Sequence, residues 1–562
     1  MKASQAKISK LIGYSEKQFI IPIYQREYKW GKSNIEKLIE DLEEININEQ
    51  NQNHFLNSIV YSKIEENPHA SYIGSRVEKY HVIDGQQRLT TISLLLIAIR
   101  NFLKLYGNES EAERINNQFL INQYIQEDEL KTRLKLSEKD HEVYKKLILG
   151  HPLNDEDKKH KIYKNLKFFE RYIKENYQNN EKLQILIKKF EARIDIIDTF
   201  LEKDDNPQKI FSSLNSTGVS LKDADLVKNF ILMNLSSHQQ KELYNVYWKE
   251  IEKNLLNESN LDAFLQHFLT MKLKYVVSKS AVYESFEKLY HLIDEENEYI
   301  KAKQILEEML KFSDIYKKLF LLEIDFKYPY SSLNLLKIES YFPLLMYIYD
   351  KFQEEILEVS KMIENYLIKR VIVGLPPGKT KNVFVRVLKN LDENNLINSI
   401  KESLKSETKQ SRMPLMSEIE EDIMVKPIYS NNSAATKYIL YKIEYFINTQ
   451  NYTTTVAYDN LTIEHILPET EYSKLPDCWQ ENFDLESYER RLHTLGNLTL
   501  ITQEMNSSIG NICFENKKDV YEKDTFNLTK NIVKKYDEWN EENIKERGNW
   551  LLGYIKRIWP EL

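Results

Sequence analysis

Residues 80–99, YHVIDGQQRLTTISLLLIAI, join a β-like run to a helical one and therefore set the fold of the N-terminal region. Residues 80–84 are rich in β-branched and aromatic side chains, which favour a strand. Apolar residues then recur at helical spacing from Ile92 to Leu103, which is typical of an amphipathic helix. Gly85 permits a tight turn between the two. The sequence therefore predicts a strand, a sharp turn and a helix.

The polar residues of this turn suggest an anion site. Free backbone amides at a helix N-terminus, together with the helix dipole, favour a group such as phosphate. Asp84, at the end of the strand, is placed to hold a metal or to orient a water molecule. The alternative is a capped helix start in which Arg88 pairs with a nearby carboxylate. The side chains that supply donors around the turn are Gln86, Gln87, Arg88, Thr90 and Thr91.

Outward from this stretch, the chain changes character twice. Further β-like runs precede it, FIIPIY at 19–24 and NSIVYSKI at 57–64. From about 105 to 450 the pattern predicts an almost wholly helical chain, with apolar faces among Lys and Glu. After about 450, the runs YTTTVAY, LTIEHIL and LGNLTLIT predict a separate α+β unit. The predicted class is α+β, predominantly helical.

Composition limits the classes of protein. The 562 residues include 42% apolar and 29% charged residues, with a net charge of −8, so global disorder and a wholly basic DNA-coating protein are disfavoured. The longest apolar run, residues 92–99, is shorter than the ~20 residues that span a bilayer. Two cysteines, Cys478 and Cys513, are too few for a disulfide framework or a thiolate zinc site. The expectation is a cytoplasmic protein without a membrane partner.

Four segments together are more specific than any one of them. IPIYQREYKW, HFLNSIV, VIDGQQRLTTI and FSSLNSTGVSLKDADLVKN, in this order, resemble the N-terminal domain of the GmrSD family of modification-dependent restriction enzymes, over about residues 10–235. The resemblance implies a ParB/sulfiredoxin-like domain that binds and hydrolyses an NTP. It also implies that Asp84 and Arg88 act in catalysis. Asn57 departs from the family pattern, which has glycine there. The residues implied to bind nucleotide are Gln25, Arg26, Asp84, Gly85, Gln86, Gln87, Arg88 and Thr90.

A second cluster of chemistry lies near the C-terminus. Glu464 and His465 are adjacent in the strand-like run LTIEHILP, and HTLGNLTLITQEMN follows at 493–506. Phosphodiester cleavage needs a base for the water and a cation beside the leaving oxygen, which a histidine and a hard metal supply. A lone histidine in an apolar strand is otherwise a packed core residue.

Residues 455–525 resemble the HNH, or ββα-metal, endonucleases and specifically the nuclease half of the same family. The resemblance implies His465 as general base and Glu464 as a ligand of Mg²⁺ or Mn²⁺. Asn497 would brace the connecting loop, and His493 is a secondary candidate for phosphate contact. Asn506 would complete the metal site, with Asn511 as the alternative. Without a zinc-knuckle cysteine pair, this fold is expected to rest on packing alone.

The two resemblances predict one architecture. Residues 1–105 would form the nucleotidase core, 106–240 its helical part, 241–430 a helical linking domain and 431–562 the nuclease. The predicted function is restriction of modified phage double-stranded DNA, regulated by an NTP; a homodimer remains open. Two alternatives also remain open: a phosphorothioate-sensing NTPase and nicking nuclease of the same architecture, and a nucleotide-sensing DNA-binding protein with an inactive nuclease site.

Overall fold

The computed structural model describes residues 1–13, 17–45, 53–64, 77–177, 180–205, 207, 210–211, 222–291, 297–322, 325–451 and 457–562. The chain divides into two compact units. The first comprises Met1–Glu250 and Phe286–Glu308, and the second Ile251–Ser285 and Met309–Leu562. Within the described ranges, no helix combines the length and apolar character that crossing a membrane requires. The predicted domain boundaries at 105, 240 and 430 remain predictions.

The described part of the first unit contributes one mixed sheet. Its strands are β1 (Lys2–Lys7), β2 (Lys17–Ile20), β3 (His54–Lys63), β4 (Glu78–Asp84), β5 (Leu134–Lys135) and β6 (Ile194–Leu201). They follow the order β1-β6-β3-β4-β2-β5, in which β1–β6 and β3–β4 are antiparallel and the other neighbours are parallel. In the second unit, β7 (Leu461–His465) and β8 (Leu498–Thr502) form an antiparallel pair.

Helices make up most of the remaining described chain, which confirms the predominantly helical α+β class. The α-helices up to residue 273 are α1 (Ile8–Gly13), α2 (Lys32–Glu44), α3 (Gln86–Leu105), α4 (Glu109–Ile115), α5 (Glu138–Leu149), α6 (Asp155–Lys159), α7 (Lys161–Asn176), α8 (Asn180–Arg193), α9 (Asp223–Leu232), α10 (Ser237–Leu243), α11 (Lys249–Leu255) and α12 (Glu258–Leu273). Those that follow are α13 (Val282–Tyr290), α14 (Glu298–Tyr316), α15 (Pro329–Ser332), α16 (Phe342–Lys351), α17 (Ile356–Val373), α18 (Val383–Lys389), α19 (Leu396–Lys405), α20 (Met416–Asp422), α21 (Ile428–Asn431), α22 (Ser433–Asn451), α23 (Asp477–Gln480), α24 (Leu485–Arg491), α25 (Gln503–Ile509), α26 (Phe514–Tyr521), α27 (Asn527–Lys535) and α28 (Glu541–Ile558).

The predicted strand, turn and helix at residues 80–99 are confirmed as β4, Gly85 and α3. Gly85 has a φ of +99°, in a region of backbone angles that residues other than glycine rarely adopt. A Cβ there would also lie 2.4 Å from Ile59 Cδ1. The turn therefore needs glycine both for its backbone angle and for the close approach of β3. Beyond the turn, α3 is buried along almost its whole length and packs against α7.

The prediction of an almost wholly helical chain from 105 to 450 is wrong at β6. Residues 194–201, IDIIDTFL, pair with both β1 and β3 and so lie inside the sheet. β5 is a second, shorter exception. The run YTTTVAY falls largely on residues 452–456, and the loop of the FSSLNSTG motif on 212–221; both segments lie outside the described residues.

The expectation that the C-terminal fold rests on packing alone is also wrong. Cys478 and Cys513 are joined by a disulfide. Cys478 lies on α23, between β7 and β8 in the chain, and Cys513 directly precedes α26. The bond therefore ties the β7–β8 connection to the start of α26, in addition to the apolar core around Trp479 and Trp539.

Candidate functional site

The first unit contains a cleft of about 770 Å³ at the β4–α3 junction, within the roughly 300–1,000 Å³ typical of small-molecule sites. The sequence-predicted residues that line it are Gln25, Arg26, Asp84, Gly85, Gln86, Gln87 and Arg88. Thr90 is not among its described lining residues, because its hydroxyl is buried and donates to the Gln86 carbonyl at 2.8 Å. Trp30, from the IPIYQREYKW segment, also lines the cleft. Lining residues that were not predicted as site residues include Lys37, Asp41, His54, Asp225 and Asn229.

Asp84 and Arg88 form an ion pair across the turn. Arg88 Nη2 donates to Asp84 Oδ2 at 2.6 Å, and both side chains are partly buried. This is the pairing that the sequence left open as the alternative to an anion site. Both groups also line the cleft. The Arg88 guanidinium therefore lies next to any ligand that enters, and the Asp84 carboxylate can accept a hydrogen bond from such a ligand.

Gln25 and Gln87 make hydrogen bonds that connect the segments around the cleft. Gln25 is buried, and its Nε2 donates to the carbonyls of Val82 at 2.7 Å and Ile83 at 2.9 Å. Gln87 Oε1 accepts from the backbone N–H of Lys29 at 2.8 Å and of Trp30 at 3.2 Å. The two glutamines therefore fix segment 22–31 against β4 and α3. They line the cleft, but their amides are largely used within the protein.

Arg26 differs from these two glutamines because one of its hydrogen-bond donors has no acceptor in the described part of the chain. Its Nε is buried and has no hydrogen-bond partner in the described part of the chain. A buried donor without an acceptor costs about 1–3 kcal/mol, so an acceptor on a ligand would be stabilising. Lys37 on α2 adds a second cation to the same cleft. No motif in the sequence pointed to α2.

Asn57 occupies a left-handed position, with a φ of +64°. The β3–β6 register shifts between Phe55 and Ser58, so the strand bulges at this residue. Glycine suits such a position best, and asparagine is among the residues that tolerate it. The backbone conformation at Asn57 is therefore one that glycine would also adopt. In this chain the Asn57 side chain also lines the cleft.

In the second unit, β7, β8 and α25 follow the ββα order that the resemblance implies. His465, the last residue of β7, is paired with Leu498 on β8. His465 Nε2 lies 3.1 Å from His493 Nδ1, and its Nδ1 lies 3.6 Å from Glu469 Oε2. Ligand atoms of these three residues all lie within 4.8 Å of one another. The cluster has the residue types and the spacing to hold one metal ion.

The surroundings of His465 keep its imidazole neutral. Burial, with lesser repulsion from His493 and Lys517, lowers the pKa of His465 to about 3. The ring of Tyr429 packs edge-on against His465 at 4.6 Å and stacks on His493 at 5.6 Å. A neutral imidazole is the form that binds a metal or accepts a proton.

Glu464, predicted as a metal ligand, points away from this cluster. Successive side chains of a strand lie on opposite faces, so the neighbour of His465 faces the interior. There Glu464 Oε1 accepts from Lys517 Nζ at 2.6 Å and from the Tyr521 hydroxyl at 3.1 Å. The carboxylate beside His465 is instead Glu469. An H-x-x-x-E spacing was the available signal in the sequence.

Asn497 is placed as the sequence suggested, between the two halves of the β7–β8 connection. Its Oδ1 accepts from Leu467 N–H at 2.8 Å and Trp539 Nε1 at 3.1 Å. Its Nδ2 donates to the carbonyls of Leu467 at 3.1 Å and Leu492 at 2.8 Å. Every hydrogen-bonding position of the amide is therefore used within the protein, which makes Asn497 a positioning residue. Of the two metal-ligand candidates, Asn506 is half-buried on α25 and Asn511 is exposed after it.

Gly496, which precedes Asn497, allows α28 to approach. A Cβ at Gly496 would lie 2.2 Å from the Ile544 carbonyl oxygen on α28. From the same helix, the fully buried Arg547 donates to the carbonyls of Gly496 and Leu498 at 2.9 and 2.6 Å. The LGNLTL motif is thus explained by packing as well as by the brace at Asn497.

Comparison with known families places these two regions in restriction enzymes that cleave DNA. Residues 8–232 match the model described as the GmrSD restriction endonuclease N-terminal domain. Residues 413–553 match the model of the GmrSD restriction endonuclease C-terminal domain. The chain therefore belongs to the GmrSD family of restriction endonucleases. No protein with curated annotation matches the chain significantly.

Proposed function

We propose that this restriction endonuclease hydrolyses modified phage DNA with a divalent metal bound by Glu469 and His493 beside His465, and that an NTP bound and hydrolysed in the first unit's cleft regulates cleavage. The observation that carries the proposal is the cluster itself, three metal-binding side chains within 4.8 Å at the end of β7. Membership of the family supports DNA as the substrate.

A donor set that contains an imidazole suits a transition metal better than Mg²⁺, which prefers oxygen ligands only. Of the two ions that the sequence suggested, Mn²⁺ is therefore the one to test first. Glu469 and His493 would hold the ion, with Asn506 as a further oxygen ligand and Asn511 as its alternative. When bound, the metal would stabilise charge on the phosphate and on the leaving oxygen.

His465 would accept a proton from the attacking water. Its position in the family's strand motif supports this role. The low pKa favours a second assignment, since an imidazole with a pKa of about 3 is a weak base but a ready metal ligand. Metal affinity of a His465 variant separates the two, because a base can be removed without loss of the metal.

Cleavage is expected to stop in EDTA and to return with Mn²⁺. Glu469→Ala should raise the Mn²⁺ concentration needed by more than the ~10–100-fold that loss of an outer-shell partner costs. Titration of Mn²⁺ into a DNA nicking assay measures this. Glu471→Ala is the matched control, because Glu471 is an exposed carboxylate two residues away that pairs with Lys474. Equal effects of the two variants, or cleavage in EDTA, would contradict the metal assignment.

The nucleotide proposal rests on the charges of the cleft. Arg26, Lys37 and Arg88 line it together with the N-terminal turn of α3, and these groups attract phosphates. Trp30 lines the same cleft and offers a surface on which a base can stack. Asp84, paired with Arg88, would orient water or a metal for hydrolysis.

Arg88→Ala is expected to weaken NTP binding by roughly 10–150-fold, the equivalent of ~1.5–3 kcal/mol for a charge-assisted contact. Asp84→Ala should reduce hydrolysis more than binding. Isothermal titration with each NTP and a phosphate-release assay measure the two effects. Arg171→Ala serves as the control, since Arg171 is exposed and lies outside the cleft. If Arg88→Ala binds as wild type does, the phosphates do not lie at this turn.

Regulation and specificity need one further experiment. Cleavage of unmodified and modified phage DNA, with and without each NTP, tests both the gating and the choice of substrate. Cleavage of phosphorothioate-containing DNA alone would favour the alternative trigger. No metal-dependent nicking of any DNA would favour a nucleotide-sensing DNA-binding protein.

A further inference from the structure

Helix α9 presents two hydrogen-bond acceptors to the cleft. Asp225 and Asn229 are four residues apart on this helix, so they lie on one face, and both line the cleft. Asn229 is 3% exposed, and its Oδ1 has no hydrogen-bond partner in the described part of the chain. Asp225 Oδ1 lies 3.9 Å from Lys228 Nζ.

An unpaired amide oxygen at this depth points to a ligand that donates hydrogen bonds. Leaving such an acceptor buried and unsatisfied costs about 1–3 kcal/mol. A ligand hydroxyl or N–H removes that cost, whereas a phosphate oxygen has nothing to donate. Asp225 also favours a ligand that donates hydrogen bonds, because its carboxylate accepts them and repels anions.

The cations and the acceptors that line the cleft favour one orientation of a bound nucleotide. The cations Arg26, Lys37 and Arg88 and the amides of α3 attract the phosphates, while α9 offers acceptors. Trp30, which also lines the cleft, offers a ring on which the base can stack. The part of a ribonucleotide left for α9 is the ribose, whose hydroxyls are donors that a carboxylate binds well.

We propose that Asp225 and Asn229 bind the ribose hydroxyls of the NTP and make the cleft selective for ribonucleotides over deoxyribonucleotides. The inference rests on the proposed nucleotide function of this cleft. It adds the sugar as the recognised group and α9 as the element that recognises it.

Titration of ATP, GTP, CTP and UTP against the corresponding dNTPs tests the inference on the full chain. Wild type is expected to bind the preferred NTP at least tenfold more tightly than its deoxy form. Asn229→Ala and Asp225→Asn should each lower NTP affinity toward the dNTP level and leave dNTP affinity nearly unchanged. Asn122→Ala is the matched control. Asn122 is 4% exposed with an unpaired Oδ1, but it lies outside the cleft, so both affinities should stay unchanged.

The possible failures are distinguishable. If wild type binds no nucleotide, the proposed function of the cleft falls and the inference with it. If wild type binds NTP and dNTP equally, the nucleotide site stands and the ribose assignment is overturned. Selectivity that persists in both α9 variants also overturns the assignment. If Asn229→Ala does not fold, Asp225→Asn decides alone, because Asp225 is only partly buried.

Discussion

His465→Ala is expected to reduce DNA cleavage by ~10²–10⁴-fold, the usual cost of losing an acid–base group, and to leave NTP hydrolysis unchanged. His465 lies within hydrogen-bond distance of His493 and beside Glu469. The cleft proposed to bind nucleotide belongs to the other compact unit, so the two activities should separate. Nicking of supercoiled DNA and phosphate release measure them in parallel.

Mn²⁺ titration of the same variant distinguishes the two roles of His465. Retained Mn²⁺ affinity with lost cleavage identifies the general base, and loss of both identifies a metal ligand. His238→Ala is the control, since His238 is exposed and lies outside the cluster. Cleavage by His465→Ala at the wild-type rate would remove His465 from the reaction altogether.

The sequence predicted those parts of the fold that local preferences decide. The β4–Gly85–α3 junction is an example, because β-branched residues, a glycine and a helical repeat follow one another within one stretch. The strand β6 was missed although its sequence is β-rich, because helical patterns surround it. Its pairing joins residues nearly 200 positions apart in the case of β1 and about 140 apart in the case of β3, and no local pattern reports such contacts.

Some candidate site residues are likewise indicated by a local motif, and others depend on contacts made only in the folded chain. His465 and Asn497 are candidates because each lies in a recognisable motif. Glu469 had only a weak H-x-x-x-E spacing to indicate it, and the unpaired oxygen of Asn229 is visible only in the folded geometry. Glu464 shows that a motif can mislead. Its neighbour lies in the candidate metal cluster, yet alternation along β7 turns Glu464 into the interior. That alternation was available in the sequence, but the buried lysine that pairs with Glu464 was not.

Glu464 and Lys517 form a buried ion pair beside His465. Lys517 is fully buried, and its Nζ donates to Glu464 Oε1 at 2.6 Å and to the His465 carbonyl at 2.9 Å. Burial lowers the pKa of Lys517, and Glu464 opposes that shift. One side chain therefore neutralises a buried carboxylate and also fixes the backbone of the candidate catalytic histidine.

Lys517→Met is expected to destabilise the β7–β8 region by ~3–5 kcal/mol, because it leaves Glu464 buried without its partner. Hydrogen exchange of the β7 and β8 amides should then accelerate by roughly 100–4,000-fold, at tenfold per ~1.4 kcal/mol, and DNA cleavage should fall with it. Lys518→Met is the matched control, since Lys518 pairs with the fully exposed Asp537 and such surface pairs contribute ~0–1 kcal/mol.

Adding Glu464→Gln to Lys517→Met removes the unpaired charge and should restore most of the protection against hydrogen exchange. Cleavage should recover less, because the His465 carbonyl still lacks its donor. Equal protection in Lys517→Met and Lys518→Met would show that the pair does not hold β7 in place.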